Sequence, residues 1–179
     1  RARMGELAVH EAGAALGAVN RAHVDMALDG WDDYLRVFDQ GCWEKDYGTR
    51  ETWGMNHKRI AVHEPVGVAA LITPWNVPFY VGIGKIVAAL LAGCTVVLKP
   101  APDTPGSGGA LFGELAKEAG FPDGVVNVVF GKDPAMAGEM LVHDPRVDLV
   151  SFTGSTGVGK RIMQEGAATL KRVFLELGG

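Results

Sequence analysis

Four short stretches hold residue types that could do chemistry. SFTGSTGVGKR (Ser151–Arg161) sets a glycine-rich turn between an apolar run and a helix-like segment, and it ends in Gly-Lys-Arg. LELGG carries one carboxylate, Glu176, in an otherwise apolar strand end. TPWNVPF holds Asn76 between Pro74 and Pro78, and LKPAPDT places Lys99 as the one charge at the end of an apolar strand.

Each stretch has more than one reading. FTGSTGVGK nearly matches the phosphate-binding loop G-x-x-x-x-G-K-[ST], but Arg161 stands where that loop needs a Mg²⁺-ligating hydroxyl. A phosphotransferase can hardly spare that ligand. As a dinucleotide site, the helix N-terminus over Ser155–Gly159 would turn its free N–H groups and positive dipole end toward a pyrophosphate. The spacing from Gly154 is G-x-x-G-x-G and not the ordinary G-x-G-x-x-G. The third reading is a plain glycine turn with Ser155 or Thr156 as N-cap. Glu176, if desolvated and unpaired, suits a general base; otherwise it is an exposed strand-end residue. An amide on a turn stiffened by two prolines can be aimed at an oxyanion, or Asn76 can simply close an Asx turn. Lys99 could meet a ribose or phosphate, or snorkel to solvent.

These stretches need elements to hold them. GELAVHEAGAALGAV reads as one helix and HVDMALDGWDDYLRVFDQ as another, with Val24, Ala27, Leu28, Trp31, Leu35 and Phe38 on one stripe. The polar, turn-rich GCWEKDYGTRETWGMNHK reads as an extended arm. HKRIAVHEPVGVAALITPWN then gives two short strands broken at Glu64-Pro65. Beyond Phe79, helices over about 80–91, through Leu111 and Leu115, over about 135–142 and over about 157–168 alternate with the strands CTVVLK, VVNVVF, VDLVSFT and RVFLEL. That alternation predicts an α/β fold: a Rossmann-like parallel sheet with helices on both faces. Ligands of such sheets bind beyond the carboxyl ends of the strands, where ITPWN, LKPAPDT, VVFGKD, SFTGST and LELGG all emerge.

Composition narrows the function. Of 179 residues 47% are hydrophobic and 21% charged, with a net charge of −4 and scattered basic residues, so no nucleic-acid footprint is present. The longest apolar run, Ile86–Leu98, is too short to span a bilayer. Two distant cysteines, Cys42 and Cys94, suit a reducing cytoplasm, and the five histidines lack metal-ligand spacing. The 25 glycines are about twice the usual share of roughly 7% and sit at the ends of apolar segments, as turns and caps do. RARMGEL at one end and LELGG at the other are the expected look of a piece of a longer protein.

Taken as a set and in order, PWNVPF, LKPAPDTP, GFPDGVVNVVFG, SFTGSTGVGK and LELGG resemble the aldehyde dehydrogenase superfamily over nearly the whole chain. The resemblance implies NAD or NADP as cofactor, a small aldehyde as substrate, no nucleic-acid or membrane partner, and a homo-oligomer, dimer or tetramer. It implies that Asn76 donates to the oxyanion of a Cys thiohemiacetal and that Glu176 activates water for thioester hydrolysis. Ile72, Thr73, Pro74 and Trp75 match the backbone segment along the cofactor, and Lys99 matches the residue on the adenosine ribose. Gly131 falls in the loop near the adenine. Gly154, Ser155 and Gly159 match the pyrophosphate-binding turn and helix, and Leu177 falls beside the nicotinamide. The implied layout is N-terminal helices over 1–41, an extended arm over 42–64 that serves oligomerisation, and the cofactor domain over 65–179.

Two departures matter. The superfamily commonly has Glu three residues after the lysine, gripping ribose hydroxyls and repelling a 2′-phosphate; here that position is Pro102, which leaves NAD against NADP open. The superfamily's nucleophilic Cys lies well beyond LELGG, and neither Cys42 nor Cys94 has its context, so residues 1–179 alone are expected to oxidise no aldehyde. The alternatives are a CoA-acylating relative, against which Glu176 argues, and an inactive nucleotide-binding module.

Overall fold

A computed structural model describes residues 1–178; Gly179, the last residue of LELGG, lies outside them. The chain opens with α1 (Ala2–Ala12), a π-helical turn (Asn20–Asp25) and α2 (Met26–Asp39). The helix expected over Gly5–Val19 ends early, at Ala12. Gly13 takes the left-handed conformation with φ 67°, and the N–H of Ala14 closes on the carbonyl of Ala8 at 3.1 Å. The expected stripe on α2 is only half buried: Val24 and Ala27 are covered, whereas Trp31 and Leu35 are exposed. Tyr34 makes the contact instead, its hydroxyl 3.0 Å from where a β-carbon on Gly84 would stand. A small residue on the facing helix has turned the contact toward the tyrosine.

The polar arm is an antiparallel hairpin, β1 (Glu44–Thr52) and β2 (Met55–Val62), exposed along its length. Trp53 and Gly54 both have positive φ, which matches the right-handed strand twist across a two-residue turn. The chain then alternates: β3 (Val68–Ile72), α3 (Pro78–Leu91), β4 (Thr95–Lys99), a π-helical turn (Gly106–Ala110) running into α4 (Leu111–Glu118), β5 (Val126–Val128), α5 (Pro134–His143), β6 (Leu149–Gly154), α6 (Thr156–Gly166) and β7 (Arg172–Leu177). Of the expected strand VVNVVF only Val126–Val128 pairs, because Gly124 and Asn127 tie the amino end into a turn.

The five strands are all parallel, in the order β5-β4-β3-β6-β7. Strand direction is therefore common, and all five connecting loops leave from one edge, as the alternation predicts. Ala69 and Leu71 face one side of the sheet with Val96, Leu98 and Ile86 of α3; Ala70 and Ile72 face the other with Val150, Phe152, Val142 of α5 and Ile162 of α6. A strand buried on both faces must read as an unbroken apolar run, and VAALI does. A further cluster packs α1 and α2 onto α3 through Ala8, Val19, Ala27, Phe79 and Ile83. No helix among the described residues is long and apolar enough to cross a membrane.

The amino ends of β3 and β6 are tied by one carboxylate: Asp148 accepts from the N–H of Val68 at 2.8 Å. Gly67, at φ 118°, leaves the room for it, since an added β-carbon would collide with the Asp148 carboxylate. Gly67→Ala is expected to destabilise the protein by roughly 2–4 kcal/mol through backbone strain and loss of this bond. Urea unfolding midpoints check this; an unchanged midpoint would mean that Asp148 swings aside at no cost.

Candidate functional site

The strand order reverses at β3. The chain first moves outward through α3 to β4, then returns to place β6 on the other side. At such a switch point the loops after the two central strands diverge and leave a crevice. Here those loops are Thr73–Val77 and the turn at Gly154–Ser155. Thr73 and Thr153 each stand one position beyond the last β3–β6 pair, Thr153 lying opposite Glu176 in the β6–β7 ladder, and among the described residues both hydroxyls are buried without a hydrogen-bond partner. Buried hydroxyls are normally satisfied; that of Thr153 lies on the side of the sheet that carries Lys85 and Glu176.

On the face of the sheet that bears Ile72 and Phe152 lies a cavity of about 280 Å³, lined by Ile72, Lys99, Gly138, Phe152, Val158 and Ile162 among others. Its floor is the carboxyl end of the sheet and its walls are α5 and α6. Lys99 is buried, 6% exposed, and its Nζ makes one long contact, 3.4 Å to the carbonyl of Pro100. Burial lowers its pKa below the ordinary lysine value. Two ion pairs bridge the walls: Arg161 with Glu139 at 2.6 Å, and His143 with Glu165 at 3.1 Å. The His143 pKa is raised, first by its bond to the Glu139 carbonyl and then by Glu165. Arg161 thus has a structural partner of its own.

Ser155 is the N-cap of α6, accepting from the N–H of Val158 at 3.4 Å, while Lys160 is exposed on the helix. Gly154 and Gly159 are space requirements. A β-carbon on Gly154 would fall 2.5 Å from the Phe152 ring, and one on Gly159 2.5 Å from Leu177. Helix α6 therefore rests directly on the end of β7. Thr156 reinforces the contact, its hydroxyl donating to the carbonyl of Gly178 at 2.7 Å. Gly131 is likewise crowded, with Ala137 2.6 Å from its would-be β-carbon, at the turn where Asp133 caps α5.

Glu176 lies in a different place. It pairs across from Thr153 on the sheet, and it is exposed, so within the described residues it is not the desolvated carboxylate that a buried strand end would make. The reason is that, among the described residues, no helix lies over the face of β7 bearing Phe174 and Glu176. It borders a groove of about 930 Å³ shared with Tyr34, Tyr80, Lys85 and Ser151. Lys85 donates to Ser151 at 2.7 Å, and burial lowers its pKa to about 8, with Glu176 opposing the shift. Asn76 is exposed on the loop after β3 and, among the described residues, makes no side-chain hydrogen bond. Pro102 and Trp75 are exposed as well, and neither lines either cavity. So Ile72 and Lys99 converge on the cavity with Val158 of the first turn of α6, while Thr73, Ser155, Asn76, Pro102 and Gly131 lie outside its lining.

Sequence reasoning passed over Lys85 and the wall residues Glu139, His143 and Glu165, and weighed Thr156 only as a cap. Lys85 had a signal: it is the one charge in PFYVGIGKIVAALL, and a lone cation in an apolar helix wants a partner.

The fold and crevice define a class, a doubly wound, Rossmann-like α/β domain. The family model of the aldehyde dehydrogenase family matches residues 1–179, and the chain belongs to that family. It is 49% identical over 126 residues to the human mitochondrial succinate-semialdehyde dehydrogenase, an alignment covering 69% of this chain and 23% of that protein. Among solved structures it is similar to a Mycobacterium tuberculosis aldehyde dehydrogenase complexed with NAD⁺, at TM-score 0.89 and 34% identity over 99% of this chain and 35% of that one. It is similar also to an NADP-dependent enzyme of E. coli, at TM-score 0.86 and 37% identity over 99% of this chain and 35% of that one. The chain spans about a quarter of the curated relative and about a third of the solved structures.

Lys85 gives a pH signature. Its folded-state pKa of about 8 lies below the ordinary 10.5, so between those values the folded protein binds fewer protons than the unfolded chain. Stability therefore rises with pH across that window. Lys85→Met is expected to remove this rise, measured as the thermal midpoint from about pH 7 to about pH 10. An identical pH profile in the variant would refute the assignment.

Proposed function

We propose that this chain is the cofactor-binding part of an NAD(P)-dependent aldehyde dehydrogenase that oxidises an aldehyde to the carboxylic acid through a Cys outside residues 1–179. The observation that carries the reading is the apolar cavity at the switch point, lined by Lys99 and by the first turns of α5 and α6. An adenosine fits that chemistry: an apolar wall for the base, a buried ammonium for ribose oxygens and helix N–H groups for the pyrophosphate. When bound, the nicotinamide supplies the hydride acceptor.

The chain's own residues then divide the work. Lys99, Ile72 and the backbone of Thr73–Trp75 hold the adenosine end and line the path away from it. Gly154, Ser155 and Gly159 let the pyrophosphate approach α6, and Gly131 shapes the loop beside the base. Asn76 turns its amide toward the developing oxyanion, a role that tolerates exposure in the free chain because the donor tightens only with substrate. Glu176 takes a proton from water in the groove, and Leu177, resting on Gly159, fixes the end of its strand. The exposed hairpin Glu44–Val62 offers an edge for association of copies into a dimer or tetramer, and the unpaired Cys42 and Cys94 are compatible with the cytoplasm.

Two measurements test the reading in the whole protein. With Pro102 in place of a carboxylate, NADP is expected to bind within about tenfold of NAD, and Pro102→Glu to weaken NADP by roughly tenfold while sparing NAD. A large native preference for NAD would refute this. Glu176→Gln is expected to cut aldehyde-dependent acid formation by roughly 10²–10⁴-fold with cofactor affinity unchanged. Acid formation that persists, or that needs CoA in the native protein, would favour the acylating reading.

A further inference from the structure

The loop that leaves β4 at Lys99 and carries Pro102 is held by a residue far from it in sequence. Glu11, on the last turn of α1, sends its carboxylate to the N-terminus of the helix that follows the loop. It accepts from the N–H of Gly106 at 2.9 Å, from the N–H of Ser107 at 2.7 Å and from the Ser107 hydroxyl at 2.6 Å. Ser107 is fully buried and Glu11 half-buried. These are charge-assisted bonds at a positive helix end, with both carboxylate oxygens used. Gly106 makes the room: an added β-carbon would stand 2.6 Å from the Glu11 carboxylate and 3.0 Å from Leu7.

The same helix start is the bed on which the loop lies. A β-carbon on Gly108 would meet Thr104 at 3.0 Å and Pro100 at 3.1 Å, and one on Gly109 would meet Pro100 at 2.7 Å. Pro100 and Thr104 are both buried, and the carbonyl of Thr104 accepts from the N–H of Gly108 at 2.9 Å. From Lys99 to Pro105 the chain has three prolines and little freedom of its own. Its position is therefore the position of the helix start, and Glu11 is what ties that start to α1.

We propose that Glu11 is a positioning residue for cofactor binding: by clamping the Gly106–Ser107 helix start it holds the Lys99–Pro105 loop in the register that a nucleotide requires. The inference rests on the cofactor reading of the Lys99 cavity given above. It does not involve the aldehyde, so its signature is confined to the cofactor.

The test uses the whole protein as its gene encodes it, with Glu11→Ala, Glu11→Gln and Ser107→Ala. Dissociation constants for NAD⁺ and NADP⁺ are measured by calorimetry, and amide exchange over residues 99–108 by mass spectrometry. Glu11→Ala is expected to weaken the better cofactor by roughly tenfold or more, with Glu11→Gln between it and the native protein because one acceptor oxygen survives. Ser107→Ala keeps both backbone bonds and is expected to change affinity by less than about threefold. Exchange over 99–108 accelerates in the same order, while the KM for aldehyde stays unchanged. If Glu11→Ala does not fold, the Gln and Ser107 variants carry the comparison. Native-like cofactor affinity in Glu11→Gln together with native-like exchange over the loop overturns the proposal, as does an equal rise in cofactor and aldehyde KM. A native protein that binds neither cofactor would instead overturn the cofactor reading.

Discussion

Val68–Ile72 has parallel neighbours on both sides, and the rest of the architecture follows from that. Parallel strands cannot be joined by a tight turn, so each connection must cross a face of the sheet. Right-handed crossovers send α3 and α4 over one face while the chain moves outward, and α5 over the other once it returns to β6. Ala69 and Leu71 consequently pack against one helical layer, Ala70 and Ile72 against the other. A single five-residue strand thereby sets both cores and the crevice between the two departing loops.

The two edges of the sheet are finished differently. At the amino edge polar groups are partnered: Asp148 accepts from Val68, and the buried ammonium of Lys171 donates to the carbonyls of Asp144 and Val147 at 2.7 and 2.5 Å. At the carboxyl edge the hydroxyls of Thr73 and Thr153 have no partner among the described residues, and Lys99 has one weak contact. Satisfied groups stabilise and unsatisfied buried ones cost about 1–3 kcal/mol each. The cost falls on the side where a ligand could offset it.

Much of this was legible in the residues. The alternation of short β-branched runs with helical stretches located six of the seven strands' neighbourhoods and the common loop edge, because period and chain reversal are local signals. Ser155 as a cap and Lys99 at a strand end were read from type and place alone. What failed depended on partners. The first helix stops at Ala12 because Gly13 is free to adopt positive φ, and a glycine inside an apolar pattern does not declare whether it will. The α2 stripe turned toward Tyr34 because the facing residue, Gly84, lies fifty positions on. Between the two readings of Glu176 the exposed one holds because, among the described residues, no helix covers its face of β7, a fact of tertiary arrangement that five letters cannot hold.

Gly159 and Leu177 touch where α6 crosses the end of β7, with no side chain on the glycine to spare. That contact has an evolutionary meaning as well as a mechanical one. Any residue larger than glycine at 159 demands a smaller one at 177, and a bulkier residue at 177 is tolerated only if 159 stays bare. The two positions, eighteen apart in sequence, are one unit of variation, and their substitutions should be strongly epistatic. A lineage altering the turn at the start of α6 would thus drift along the strand that bears Glu176 in step with it.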